Sequence, residues 1–311
     1  MNTLSLDSGR PIAMIKNGKY DKEVLHINTD IEKKKKEKEL DSDETAILIE
    51  NLYRSMGNKL SFRKMELLRD SIHEKRRPVN RELAAFYDHA MKLMCDNEDR
   101  EVVLQDDAEF VPIFDTKQER SVFMICGMSG SGKSTYTAAL CKTYHQQFPK
   151  NRIILFSNKP EDPVFDRLSY IDRITISDDL LKDPITLIEL KNSLVLFDDV
   201  ECTTSKEIDK ELIRISDLIL QQGRSYKCSF VYITHQANNY KATRNILNEA
   251  HHVVVFPSMC TRYSLNYLFG KYFGFDKQTI SKICKVPSRW CQITKAPAAV
   301  LYKTGCFLPD C

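Results

Sequence analysis

The sequence lacks the apolar segments that send a chain into or across a membrane. Its first twenty residues contain no apolar core of signal-peptide length, and nowhere do ~18 apolar residues run together. We therefore expect an intracellular protein without a membrane span. The sequence also lacks a strong charge of one sign, since 46 basic and 43 acidic residues give a formal net charge of +3. That bias is too weak to indicate nucleic acid, because a local basic stripe matters more than a total.

The cysteines, ten in number, lack metal-binding spacing. No two of them stand as C-x-x-C, and the last four, Cys284, Cys291, Cys306 and Cys311, are spaced poorly for a zinc ribbon. Thiols of an intracellular chain stay reduced. We expect structural thiols, several of them in strands, and the sequence leaves open whether the last four bind a metal.

The hydrophobic pattern divides the chain into three parts. Residues 1–45 include a mixed-charge run and predict a flexible charged arm, which is either a solvated linker or a nucleic-acid-binding arm. Residues 46–105 carry apolar side chains at helical spacing, over 47–56, 65–72 and 80–95, and predict a small helical appendage. Residues 106–311 show a different pattern and form the third part.

Short apolar runs alternate with helical stretches in this third part. Buried runs separated by crossovers indicate a mostly parallel sheet with helices on both faces, which is an α/β fold. The runs are residues 121–126, 152–156, 173–176, 193–197, 229–234 and 252–256.

A phosphate-binding pattern follows the first of these runs and precedes a predicted helix. Residues 127–135 fit G-x-x-x-x-G-K-[ST], the Walker A pattern. Its glycines let successive N–H groups point at one anion, and the positive end of the helix adds to that field. Lys133 is expected to reach the β- and γ-phosphates, and Ser134 to place its hydroxyl on Mg²⁺. The predicted nucleotide-binding residues are Gly127, Met128, Ser129, Gly130, Ser131, Gly132, Lys133, Ser134 and Thr135.

Two acids stand at the carboxyl end of the run 193–197, where ligands of open α/β sheets bind. Asp198 is expected to hold Mg²⁺ through water, as a Walker B carboxylate. Asp199 is expected to accept a proton from the attacking water or to orient it. This doubled acid favours a hydrolase over a nucleotide switch. Alternatively, Asp199 only caps the following helix.

Further polar side chains end the run 229–234. Thr234, His235 and Gln236 are candidates for a group that touches the γ-phosphate, or else they form a polar cap of the strand. Arg224, which precedes this run, is a candidate for an arginine finger that reaches the phosphate of a neighbouring subunit.

Other nucleotide-binding classes fit less well. Asn158-Lys159-Pro160-Glu161 is similar to the guanine reader of GTPases, but its fourth position is Glu161 and it follows the phosphate-binding pattern too soon. A nucleotide or nucleoside kinase stays an alternative, although such enzymes usually lack the doubled acid and carry an arginine-rich lid. A non-catalytic, ATP-dependent assembly scaffold is the second alternative.

The order of these motifs resembles the viral genome-packaging ATPases of the FtsK–HerA superfamily, of the poxvirus and giant-virus type. The matching segments are residues 127–136, 155–157, 194–199, 222–225, 232–235, 240–250, 252–257 and 288–290. The resemblance implies a RecA/FtsK-like P-loop fold and a homo-oligomeric ring that uses ATP and Mg²⁺ to move double-stranded DNA into a preformed capsid.

The resemblance also has consequences for residues and partners. It implies that Arg224 is the finger, that capsid or portal proteins are partners, and that the protein works in the host cytoplasm or with the virion. FtsK-like motors commonly have Thr-Gln at the sensor, where this chain has Thr234-His235 with Gln236 one place later. The side chain that contacts the γ-phosphate therefore stays open.

Overall fold

The computed structural model describes residues 2–28, 62–73, 76–81, 83–84, 86–87, 100–201, 205–235 and 240–309. The chain divides into two compact units. One holds Met1 and Asp30–Val102, and the other holds Asn2–Thr29 and Val103–Cys311. Within the described residues, no helix combines the length and the apolar character that crossing a bilayer requires.

The smaller unit contains helices that the apolar spacing predicts. Helix α1, Phe62–His73, buries Leu68 and Ile72. In the helix predicted over 80–95, the described residues from Arg81 to Tyr87 are also helical, and their apolar members are buried. The apolar face predicted over 47–56 lies outside the described residues.

The prediction of a flexible arm over residues 1–45 is wrong for its first part, and residues 29–45 lie outside the described residues. Three strands form there, β1 (Thr3–Ser5), β2 (Arg10–Lys16) and β3 (Val24–Asn28). Together with β5 (Glu109–Pro112) they make an antiparallel sheet in the order β1-β3-β2-β5. The sequence contains a turn signal, Asn17-Gly18, where φ is 65° and 71°. The pairing could not be inferred, because β5 lies far along the chain from β2.

A second, larger sheet has ten strands. They are β4 (Glu101–Val103), β6 (Val122–Cys126), β7 (Arg152–Ser157), β8 (Ile171–Thr175), β9 (Ser193–Asp198), β10 (Ser229–Thr234), β11 (His252–Val255), β12 (Cys291–Lys295), β13 (Ala298–Tyr302) and β14 (Gly305–Phe307). Their order is β4-β14-β13-β12-β11-β6-β10-β9-β7-β8. Six neighbouring strands are parallel, in the spatial order β11-β6-β10-β9-β7-β8. Strands β11, β12, β13 and β14 pair antiparallel, each with the next. The predicted α/β fold with a mostly parallel sheet is confirmed, since each predicted run forms one of the parallel strands.

Helices cover both faces of this sheet. They are α2 (Lys133–Gln147), α3 (Asp179–Lys182), α4 (Lys206–Gln222), α5 (Tyr240–Glu249), α6 (Arg262–Tyr267) and α7 (Lys277–Cys284), with a 3₁₀ turn at Pro257–Met259 and a π turn at Leu268–Tyr272. Successive side chains of β6 alternate between the faces: Phe123 shares a buried cluster with Leu140 of α2, and Met124 shares another with Ile215 of α4. Because both faces are buried, polar groups of the central strands collect at the strand ends.

The described cysteines are free thiols, as expected. Cys126, Cys291 and Cys306 are buried in strands β6, β12 and β14, while Cys141 is buried in α2. Burial raises the pKa of the Cys228 thiol to about 11, so this group is protonated at neutral pH. These side chains pack as small hydrophobic residues.

Candidate nucleotide-binding site

Residues 127–132 form a loop between β6 and α2 that is shaped to hold an anion, and residues 133–135 begin α2. Gly132 begins the helix with φ of 109°, a conformation that side chains rarely adopt, and the first turn of α2 carries no acid. A Cβ at Gly127 would lie 2.7 Å from the Ser131 hydroxyl. That Ser131 hydroxyl is buried without a hydrogen-bond partner in the described part of the chain. The loop therefore presents polar groups and a helix N-terminus to one small space.

The Lys133 side chain is folded into the loop. Its Nζ donates to the carbonyl oxygens of Gly127 (2.8 Å) and Met128 (3.2 Å). Burial lowers the pKa of Lys133, and the charges of Asp199 and Asp198 act in the opposite direction. A phosphate oxygen would compete with two backbone carbonyls for this ammonium group, and it would bring the negative charge that they lack.

Asp198 ends β9 at the same edge of the sheet as the loop. Strand β10 lies between β6 and β9, with Thr234 opposite Cys126 and Ile233 opposite Asp198. Only 2% of Asp198 is exposed, and its Oδ2 has no hydrogen-bond partner among the described side chains and backbone. Burial, and then the charge of Asp199, raise the pKa of Asp198 to about 6. A carboxylate held in this way is stabilised by a cation.

The residues present fit Mg²⁺ shared with a nucleotide. Within the described ranges, no group of three His, Cys, Asp or Glu side chains could hold a metal alone. Mg²⁺ prefers oxygen ligands and usually keeps several waters, binding through one or two protein groups and substrate phosphates. The orphaned Oδ2 of Asp198, together with the hydroxyl of Ser134, offers such a partial set.

Asp199 has a strained backbone and a charged side chain. Its φ of 53° is unusual for a residue other than glycine, and its carbonyl accepts a hydrogen bond from the Asn158 Nδ2 at 3.1 Å. Burial acts to raise the pKa of Asp199, but contact with Lys159 at 2.5 Å, and then the charges of His235 and Lys133, hold it below its usual value. The side chain is therefore a carboxylate at neutral pH.

The alternative role of Asp199 as a helix cap is wrong. Helix α4 begins at Lys206, and its cap is Ser205, whose Oγ accepts from the Ile208 N–H at 3.3 Å. Asp199 therefore makes no capping contact with α4, and its side chain lies among the polar groups of the site.

His235 bridges the loop and the acid. Its Nε2 lies 2.8 Å from the Asp199 Oδ1, and its Nδ1 lies 3.4 Å from the Lys133 Nζ. The imidazole ring thus lies between the Lys133 ammonium and the Asp199 carboxylate. Thr234 instead donates to the Glu201 Oε1 at 3.0 Å. Gln236 lies outside the described residues.

Sequence reasoning missed several residues of this site. Lys159, considered only as part of a guanine reader, places its Nζ between the two acids, 3.9 Å from the Asp198 Oδ2. Glu201 accepts hydrogen bonds from Thr234 and from the Tyr232 hydroxyl. Arg289 donates to the Gly130 carbonyl at 3.0 Å. The available signal for Lys159 was its position just after β7, at the same sheet edge as Asp198.

Arg224 lies away from this site in its own chain. It follows α4 and precedes β10, so it lies at the amino end of β10, whereas the phosphate-binding loop lies at the carboxyl ends of the strands. The six residues of β10 separate the two ends by on the order of 20 Å. Its side chain is 77% exposed and forms an ion pair with Glu119. A role at the phosphates of a neighbouring subunit stays a prediction.

Comparisons with known proteins extend these observations. No family model matches the chain. The uncharacterized protein V3 of Sputnik virophage is 35% identical over 202 residues, which cover 64% of this chain and 81% of V3. The relation to V3 therefore runs along most of that protein and is not confined to one motif.

Solved structures show a more distant likeness. The genome packaging NTPase B204 from Sulfolobus turreted icosahedral virus 2, in complex with AMPPCP, has a TM-score of 0.43 and 13% identity, over 62% of this chain and 100% of B204. The pCW3 conjugation coupling protein TcpA, with ATPgS, has a TM-score of 0.41 and 13% identity, over 69% of this chain and 67% of TcpA.

Proposed function

The chain belongs to the same family as the uncharacterized protein V3 of Sputnik virophage, and we propose that it is an ATP-hydrolysing motor that moves double-stranded DNA into a viral capsid. One observation carries the hydrolase part: a line of contacts joins Lys133 of the loop, through His235, to the charged carboxylate of Asp199. The DNA-moving part rests on the resemblance of the motif order to packaging ATPases.

Binding begins at the loop. Its backbone N–H groups and the N-terminus of α2 attract the phosphates, and Lys133 exchanges the Gly127 and Met128 carbonyls for phosphate oxygens. Mg²⁺, which Ser134 and Asp198 would hold, supplies neutralisation of phosphate charge when bound.

Hydrolysis then depends on Asp199. The oxygen of a water attacks the γ-phosphorus, the bond to the ADP oxygen breaks, and the water proton passes to the Asp199 carboxylate. The His235 ring, whose Nε2 lies 2.8 Å from one carboxylate oxygen, positions that oxygen. Lys159 holds the other oxygen in this structure, and it has to release that oxygen or bring it to the water. The products are ADP and phosphate.

Duplex DNA should stimulate phosphate release, because a motor couples turnover to its track. We would measure phosphate release with and without linear duplex, and with nucleosides or nucleotides as added acceptors. Stimulation by duplex supports the motor. Transfer of label from the γ-phosphate to a small acceptor would establish a kinase instead, and negligible turnover with duplex and assembled rings would establish a scaffold.

Arg224→Ala should lower turnover by about 10³-fold or more if this arginine acts across a subunit boundary, the range for arginine fingers. Its exposure and its distance from its own loop support a role at a neighbouring subunit, where a phosphate would replace Glu119 as its partner. Mixing this variant with Asp199→Asn should restore part of the activity, because some boundaries then combine an intact arginine with an intact acid.

The matched control for this prediction is Arg167→Ala, which removes another exposed arginine outside the site. It should keep wild-type turnover. A failure of mixing to restore activity, with mixed rings demonstrated by mass measurement, would contradict the assignment of Arg224 as a finger.

A further inference from the structure

A pocket of about 230 Å³ opens beside the phosphate-binding loop. We propose that it takes the base and ribose of the nucleotide whose phosphates lie in the loop. This inference rests on the proposed function, because it assumes that the loop binds a nucleotide. The pocket joins Gly132 and Thr135 of the phosphate-binding pattern to segments far apart in the chain, among them residues 288–290, for which the sequence predicts no binding role.

The direction of the bound phosphates places the nucleoside at this pocket. In the proposed mechanism the γ-phosphate lies beside Asp199, His235 and the Nζ of Lys133, which we call the reacting end of the site. Gly132 and Thr135 line the pocket, and in the described part of the chain none of the three reacting-end residues does. A nucleotide whose γ-phosphate faces Asp199 therefore extends its other end past Gly132 and Thr135 toward the pocket.

The walls suit a flat aromatic group. Trp290 is partly exposed, lies edge-on to Tyr136 with ring centroids 5.0 Å apart, and faces a helix surface on which Ala139 is exposed. The small side chain of Ala139 leaves room between Trp290 and α2, and Val111 of β5 adds an apolar wall. Base-binding sites combine such apolar walls with a few polar groups.

Polar groups stand at the rim. Glu109 is bound by Lys303 (3.1 Å) and by Lys16 (3.2 Å), so a carboxylate and two ammonium groups meet at one side. Arg289 stands on the loop side, where it contacts the Gly130 carbonyl and lies 3.7 Å from the Cβ position of Gly132. These groups can hydrogen-bond a ribose or the edge of a base.

The pocket is held in shape before any ligand arrives. The Ser288 Oγ donates to the Trp290 carbonyl at 2.6 Å and accepts from the N–H groups of Trp290 and Lys303. The Phe110 N–H donates to the Lys303 carbonyl at 2.7 Å, which ties β5 to the same segment. The small N-terminal sheet, which the sequence did not predict, thus supports one wall of the site through β5.

The test uses Trp290, the sole tryptophan of the chain, as its own reporter. We would titrate the full chain with ATP, ADP and inorganic tripolyphosphate, which carries phosphates without a nucleoside, and follow both binding by calorimetry and tryptophan fluorescence. ATP and ADP should change the fluorescence, whereas tripolyphosphate should bind without changing it.

A variant that fills the pocket separates the nucleoside from the phosphates. Ala139→Phe should weaken ATP and ADP binding by about tenfold or more and leave tripolyphosphate binding unchanged, which also shows that the variant is folded. Ala139→Ser, which keeps the pocket open, is the control. If ATP binds without a fluorescence change and Ala139→Phe binds it as the wild type does, the base lies elsewhere while the motor proposal stands. If neither ATP nor tripolyphosphate binds the wild type, both proposals fail.

Discussion

Lys133→Ala should remove nucleotide binding and lower any ATP turnover by on the order of 10²–10³ or more, the effect of losing a preorganised donor to transition-state charge. The Nζ of Lys133 is the cationic group that reaches into the loop, where it contacts two carbonyls and the His235 ring. Equilibrium dialysis with labelled ATP and a phosphate-release assay would measure both effects.

Two features of the molecule shape the controls. Removing the ammonium takes away the donor to the Gly127 carbonyl, whereas the Met128 carbonyl still accepts from the Ser131 N–H at 3.2 Å. Losing the partner of a buried polar group costs about 1–3 kcal/mol, so thermal unfolding has to accompany the binding assay. Lys142→Ala is the matched variant, because Lys142 is an exposed lysine of the same helix. Retained hydrolysis in a folded Lys133→Ala protein would refute the assignment of this loop as the phosphate site.

Asp199→Asn should separate binding from chemistry. The variant should bind ATP but hydrolyse it about 10²–10⁴-fold more slowly, the range for a positioned acid or base. Asparagine has the same shape, tolerates the positive φ of this position, and keeps an oxygen where the carboxylate contacts the His235 ring. The lost property is the negative charge that takes the proton.

Single-turnover measurements would test this prediction, because they report chemistry apart from product release. Asp172→Asn serves as the matched control, since Asp172 is an exposed carboxylate in β8 that pairs with Arg152. Normal turnover of Asp199→Asn would mean that another group accepts the proton, with Glu201 the next carboxylate to change because it accepts a hydrogen bond from Thr234.

Local patterns made the core of this fold predictable. Both faces of the sheet are covered, so its central strands are continuous apolar runs, and each of them can be recognised as a strand from its own residues. These strands are β6, β7, β9 and β10. The loop between β6 and α2 is equally local, because the glycines and the lysine of its pattern lie within a short span. The acids after β9 follow from the rule that ligands bind at the carboxyl ends of such strands.

Contacts across the chain were not predictable in the same way. The antiparallel strands β12 to β14 are short, and β1 to β3 require β5 as a distant partner. Lys159, Glu201 and Arg289 reach the site only because crossovers return their segments to one edge of the sheet. Lys159 had a signal in its position just after β7, and Arg289 belongs to the matching segment 288–290, but neither signal predicts which group the side chain contacts.

The buried carboxylate of Asp198 has a consequence for the lifetime of the protein. Its pKa rises from 3.8 to about 6, so ionising it in the folded chain costs on the order of 3 kcal/mol, a cost that grows as pH rises through this interval and is complete at neutral pH. A ligand that brings a cation to this carboxylate relieves the cost. If the proposed site is correct, the chain is therefore less stable with the loop empty than with nucleotide and cation bound, and bound nucleotide would slow its unfolding and proteolysis.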